Sequence, residues 1–154
     1  MLHSRMAANT RFAVAIHTLG LLAQGRKTTL TSEGIAASVG TNPVVVRRLM
    51  AQLTEAGLVE VRKGPHGGAQ LARPPEQITL GQIYRAVAEQ PILPVHAPQP
   101  LGHCCVAKAV EPVLRYIFGD AETAMVKKLD RRRLSEVISE VVKQGQTGSE
   151  GDAL

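Results

Sequence analysis

TSEGIAASVG (residues 31–40), TNPVVVRRLMAQLTEAG (41–57) and LVEVRKGPHGGAQLAR (58–73) follow one another without a gap, and their order decides the fold. In the first piece Thr31 is placed to cap a short helix that buries Ile35, Ala36 and Val39 and is closed by Gly40. In the second, Asn42 caps a longer helix whose first position is Pro43, where a missing N–H does no harm. Val46, Leu49, Met50 and Leu53 then recur at i, i+3, i+4 and i+7 and face inward, until Gly57 ends the helix. In the third, Leu58–Arg62 and Ala69–Arg73 pair as strands around the turn Gly64-Pro65-His66-Gly67-Gly68. Two helices at a fixed angle followed by a cationic hairpin make a winged helix-turn-helix, an arrangement that sets its second helix in the major groove of DNA.

Upstream, residues 9–24 put Phe12, Ile16, Leu19, Leu22 and Ala23 on one helical face that stops at Gly25, and Arg26 to Leu30 reads as a minor strand. Downstream, Thr79 to Ala88 is a helix with Leu80, Ile83, Tyr84 and Val87 apolar. Pro91, Pro94, Pro98 and Pro100 then exclude regular structure from a connecting loop. From His103 the chain returns to helix. Pro112 is read as the start of a long one, with Val113, Leu114, Ile117, Ala121, Ala124 and Met125 in one stripe extended by Leu129. A last helix gathers Leu134, Val137, Ile138, Val141 and Val142. The expected fold is mainly α with a small β wing. Its parts are a winged helix-turn-helix domain over 1–88, a Pro-rich loop over 89–102, further helices over 103–144 and a polar, disordered tail over 145–154.

The 154 residues are 44% hydrophobic with no Trp, two Phe and two Tyr, so the core is aliphatic and stacking platforms for single strands are not expected. Charge is unevenly placed. Residues 1–75 hold nine Lys and Arg against Glu33, Glu55 and Glu60, a net of +6, whereas residues 76–154 hold nine against ten acids, a net of −1. The positive excess lies on the half that carries the helix-turn-helix, as a phosphate-facing surface requires. No apolar run approaches the roughly 18–20 residues that span a bilayer, and the N-terminus lacks a signal-peptide profile. With two adjacent cysteines and no disulfide framework, a reducing cytoplasm is expected.

With its apolar stripe turned inward, the second helix shows Asn42, Val44, Val45, Arg48 and Gln52 outward, with Arg47 at the edge. Recognition helices read bases near their N-terminus, which selects Asn42, Val44, Val45 and Arg48. Arginine can bind guanine O6 and N7 together, and valine can meet a thymine methyl. In the wing, Arg62, Lys63 and His66 surround a turn in which Gly67-Gly68 allows close approach to a sugar-phosphate backbone. Arg5 and Arg11 could add phosphate contacts. An arginine-bearing face can also be only solvated, and a glycine turn only a hairpin. The rival reading is therefore a winged helix that binds another protein without reading bases. An enzyme is not expected: no G-x-S-x-G, H-E-x-x-H or P-loop is present.

AGLVEVRKGPHGGAQLARPPEQITLGQIYRAV and, before it, NTRFAVAIHTLGLLA resemble the bacterial Rrf2 family of winged-helix transcription regulators, over roughly residues 3–140. The resemblance implies a homodimeric, sequence-specific DNA-binding regulator, expected to be a repressor acting on a pseudo-palindromic duplex operator. It places Asn42, Val44, Val45 and Arg48 on bases and Lys63 at the wing tip. It gives dimerisation to the helix bearing Val113, Leu114, Ile117, Ala121 and Met125. Cluster-binding members carry three spaced cysteines before that helix, whereas this chain has only Cys104 and Cys105, preceded by His103. No cofactor is therefore expected, although a dimer could pool ligands for an iron–sulfur cluster. A cysteine near a helix N-terminus beside Lys108 is also the setting of a redox-sensing thiol, and equally of a small packing residue.

Overall fold

The computed structural model describes residues 8–25, 30–64, 67–96 and 104–148. Arg5, His66 and His103, three of the residues singled out above, lie outside the described residues. The order is α1 (Ala8–Gln24), α2 (Ser32–Val39), α3 (Pro43–Glu55), β1 (Val59–Arg62), β2 (Gly68–Leu71), a 3₁₀ turn (Pro75–Gln77), α4 (Leu80–Val87), α5 (Cys105–Leu129) and α6 (Leu134–Gly148). It is mainly helical with a two-stranded antiparallel wing.

Local signals set the helix boundaries. The Thr31 hydroxyl accepts from the Gly34 N–H at 3.2 Å, and the Asn42 side chain accepts from the Val44 N–H at 2.8 Å. Gly40 separates the two helices at φ +72°, a left-handed conformation that a Cβ would strain. Thr79 and Gln82 form a reciprocal capping box at the start of α4. In the wing, Val59 pairs with Leu71 and Arg62 with Gly68, so both strands are shorter than the sequence suggests. The second strand stops where Arg73 swings back to donate to the Gly57 carbonyl at 3.2 Å. Of the minor strand expected at Arg26 to Leu30, the described part is one bridge, Leu30 to Ala69, and residues 26–29 lie outside the described residues.

The core draws Ala15, Leu19 and Leu22 from α1, Ile35 from α2, and Val46, Leu49, Met50 and Leu53 from α3. Val59, Ile78, Ile83 and Val87 close it. Leu134, the first residue of α6, is wholly buried in the same cluster. Its N–H donates to the Ile78 carbonyl, and the Leu80 N–H donates to the Arg132 carbonyl, both at 2.9 Å. The start of α6 is thus built into the winged domain, whereas the sequence reading grouped it with the helices over 103–144. Two further boundaries differ. Pro112 does not open α5 but lies inside it, because the segment from Cys105 already has helical partners: the Lys108 N–H donates to the Cys104 carbonyl at 3.3 Å. Pro112 itself leaves one helical rung unmade. At the other end, residues 145–148 continue α6 where a disordered tail was expected, and residues 149–154 lie outside the described residues.

Unlike the other long helices, α5 buries no residue of its own. It is fastened to α4 towards its C-terminal end. Arg85 grips Asp130 with both terminal nitrogens, at 2.7 and 3.0 Å, and the Tyr84 hydroxyl donates to Glu122 at 2.5 Å.

Candidate nucleic-acid interface

The inward stripe of α3 is buried at all four positions, which turns Val44, Arg47 and Arg48 outward. Val44, at the second helical position, is 65% exposed. Val45 is half-buried beside it, and Asn42, Arg47 and Arg48 are exposed. The Asn42 side-chain oxygen is committed to the Val44 N–H, which leaves its amide N–H groups to face outward. These residues are brought together at one end of α3 as the sequence reading expected.

Three of the cations are held by carboxylates. Arg47 pairs with Glu33 of α2 at 2.6 Å. Its own backbone N–H, and then Arg47, keep the Glu33 carboxyl below the usual carboxylate range. Arg48 and Arg11 both pair with Glu89, at 3.0 and 2.5 Å, and Gln52 donates its amide to the same carboxylate at 2.9 Å. Arg11 first, then Arg48 and Gln52, lower the Glu89 pKa. Gln52 is half-buried in this cluster and Arg11 retains only 19% of its side-chain exposure, so neither stands free on the surface. Glu89 itself was missed in the sequence, where it is only the first residue of a proline-rich stretch.

The wing is differently equipped. Arg62 and Lys63 are exposed and have no ion-pair partner among the described residues, and Val61 is 52% exposed beside them. The Gly67 N–H donates to the Gly64 carbonyl at 2.8 Å, which brings those two residues of the turn together. The helix and the cationic hairpin stand side by side, with Arg47 and Arg62 lining one cavity between them.

Cys104 and Cys105 are exposed free thiols at the start of α5, Cys104 as its N-terminal flanking residue. Along α5, Val113, Tyr116 and Ile117 are 54%, 79% and 50% exposed, Ala121 is exposed, and Leu114 and Met125 are half-buried.

Fold and surface together define a winged helix-turn-helix DNA-binding regulator. The sequence profile of the Rrf2 family, described as iron-dependent transcriptional regulators, matches residues 8–140, and the chain belongs to that family. An HTH-type transcriptional regulator of Bacillus subtilis (strain 168), YwnA, is 40% identical over 131 residues, covering 85% of this chain and 96% of its own. A solved structure described as a DNA binding protein is 36% identical with a TM-score of 0.63, covering 83% of this chain and 98% of that one. A transcriptional regulator from Lactobacillus plantarum shares the fold at a TM-score of 0.75 and 22% identity, covering 94% of this chain and 98% of its own.

The family's description raises the question of iron. Cluster iron is usually held by four protein ligands, mostly thiolates. Cys104 and Cys105 are neighbours on one turn, and no group of three or more His, Cys, Asp or Glu among the described residues is placed to hold a metal. The described donors do not fit a cluster within one chain.

Proposed function

We propose that this regulator is a homodimer that reads a pseudo-palindromic operator with α3 and grips the flanking backbone with the wing. The observation that carries the reading is the outward end of α3, where exposed Val44, Arg47 and Arg48 stand on a capped, core-anchored helix, together with Arg62 and Lys63 of the wing, which have no ion-pair partner among the described residues. Arg48 and Val44 are assigned to base edges, with Asn42 and Val45 beside them. Lys63 and Arg62 are assigned to phosphate or the minor groove. Dimerisation is assigned to α5, whose Val113, Ile117 and Ala121 are exposed while Leu114 and Met125 are half-buried. Occupancy of a promoter by such a dimer would repress, in the cytoplasm where the thiols are kept reduced. Cys104 and Cys105, exposed at the start of the same helix, are assigned to oxidant sensing, with no resident cofactor.

The test is recovery of bound fragments from a genomic or random duplex pool by the purified protein, with and without mild peroxide. A two-fold symmetric site that is lost or weakened on oxidation supports the whole reading. A symmetric site indifferent to oxidant removes the cysteines from it, and absence of any enriched site leaves a winged helix that binds another protein.

A further inference from the structure

Glu89 lies two residues beyond the end of α4, yet it is the meeting point of three side chains from two other helices. Its Oε1 accepts from Arg48 at 3.0 Å and from Gln52 at 2.9 Å, and its Oε2 pairs with Arg11 at 2.5 Å. We propose that Glu89 determines specificity at the DNA-reading surface, by holding Arg48 in one presentation and withholding the cluster's positive charge from the phosphate backbone. This rests on the DNA-reading role of α3 put forward above.

The geometry supports a restraint and not a block. Arg48 gives one terminal nitrogen to Glu89 and remains 69% exposed, so the rest of its guanidinium is free to meet a base edge. Gln52 is held more completely. Its Nε2 donates to Glu89, while its Oε1 is buried without a partner among the described residues. Reversing that amide would set a carbonyl against a carboxylate, so Glu89 dictates its orientation. Arg11 is drawn inward by the same anion. Two guanidiniums against one carboxylate leave the cluster with a single positive charge.

Two consequences follow for binding. An arginine fixed before contact needs less ordering when the matching base is present. An arginine already satisfied by a carboxylate gains little from a phosphate, which is present on every sequence. Glu89 therefore lowers affinity for arbitrary duplex while modestly raising affinity for the operator. The backbone attraction is left to Arg62 and Lys63, whose cations no carboxylate holds among the described residues.

The experiment starts from the operator recovered with the unmodified protein. Affinities for that operator and for a random duplex are then measured across a salt series for the unmodified chain, Glu89→Gln and Glu89→Ala, each also carrying Arg48→Ala. Melting curves establish the temperature at which every variant is folded. Glu89→Gln should bind the random duplex roughly fivefold more tightly at 0.1 M salt, with a log–log salt slope steeper by about 0.9 per subunit in contact with DNA. Its operator-to-random ratio should fall about tenfold. In the Arg48→Ala background the loss of ratio should largely vanish, because the residue through which Glu89 acts is gone. Glu89→Ala provides the same comparison without the residual hydrogen-bonding group. An unchanged random-duplex affinity and ratio would overturn the proposal. An equal loss of ratio with and without Arg48 would also overturn it, making Glu89 a support of the fold alone. Failure of the unmodified protein to select any site would instead bring down the DNA-reading role itself.

Discussion

The Tyr84 hydroxyl donates to Glu122 across the junction of α4 and α5, while its ring meets Phe12 edge-on with centroids 5.5 Å apart. Burial, and then the Glu122 carboxylate, push its pKa up to about 12. A phenol is neutral when protonated, so a raised folded value makes the folded state hold its proton more tightly than the unfolded one. The resulting stability is intact below the ordinary value near 10 and is lost as pH climbs from there to about 12. Melting temperatures followed through that window should fall, with a loss on the order of 2 kcal/mol attributable to Tyr84. Tyr84→Phe should flatten that part of the curve; an identical fall in the variant would show that other groups cause it. Residues of this kind divide sharply in how legible they are. Thr31 and Asn42 could be assigned as caps because each bonds within three residues of itself. Glu89 could not, because Arg48 and Gln52 lie 41 and 37 residues away and only the folded core brings them together.

Among elements, the wing and α5 make separable contributions. Removing the Lys63 charge with Lys63→Ala should weaken binding to operator and random duplex alike and shallow the salt slope by about 0.9 per half-site. An unchanged slope would take the wing out of the interface. Within α5, Ile117 is half exposed on a helix with no fully buried residue. Ile117→Glu should leave the winged core folded but give a monomer in sedimentation, with operator affinity lower by about a hundredfold or more as two linked contacts become one. A variant that still sediments as a dimer would move the interface elsewhere. Helix periodicity made α3 and α4 readable, since their apolar stripes are buried in their own domain. The same periodicity marked the stripe on α5 without revealing that Val113, Ile117 and Ala121 in it stay exposed. Pro112 misled for a related reason: a proline is common at a helix start, but a helix interior tolerates it at the loss of a rung.

At the scale of the whole molecule, Leu134 ties the start of α6 to the core of the winged helix-turn-helix. It reads as the first apolar position of a last helix, and nothing local indicates that it completes the core formed by α1, α3 and α4. The chain leaves the winged domain after α4, runs the length of α5, about 37 Å for 25 residues, and returns to that domain at Leu134. Arg85 with Asp130, and Tyr84 with Glu122, fasten the returning end. In a dimer joined along α5, that anchorage makes the helix a ruler: it transmits the axis of one subunit to the reading end of the other with no pliant joint at the return. The two reading ends should then accept one separation. A single base pair inserted at the operator's centre moves the half-sites by about 3.4 Å and turns them by roughly 35°. Gel-shift titration should show that the lengthened operator binds no better than an isolated half-site, whereas equal binding of both lengths would mean that the ruler bends.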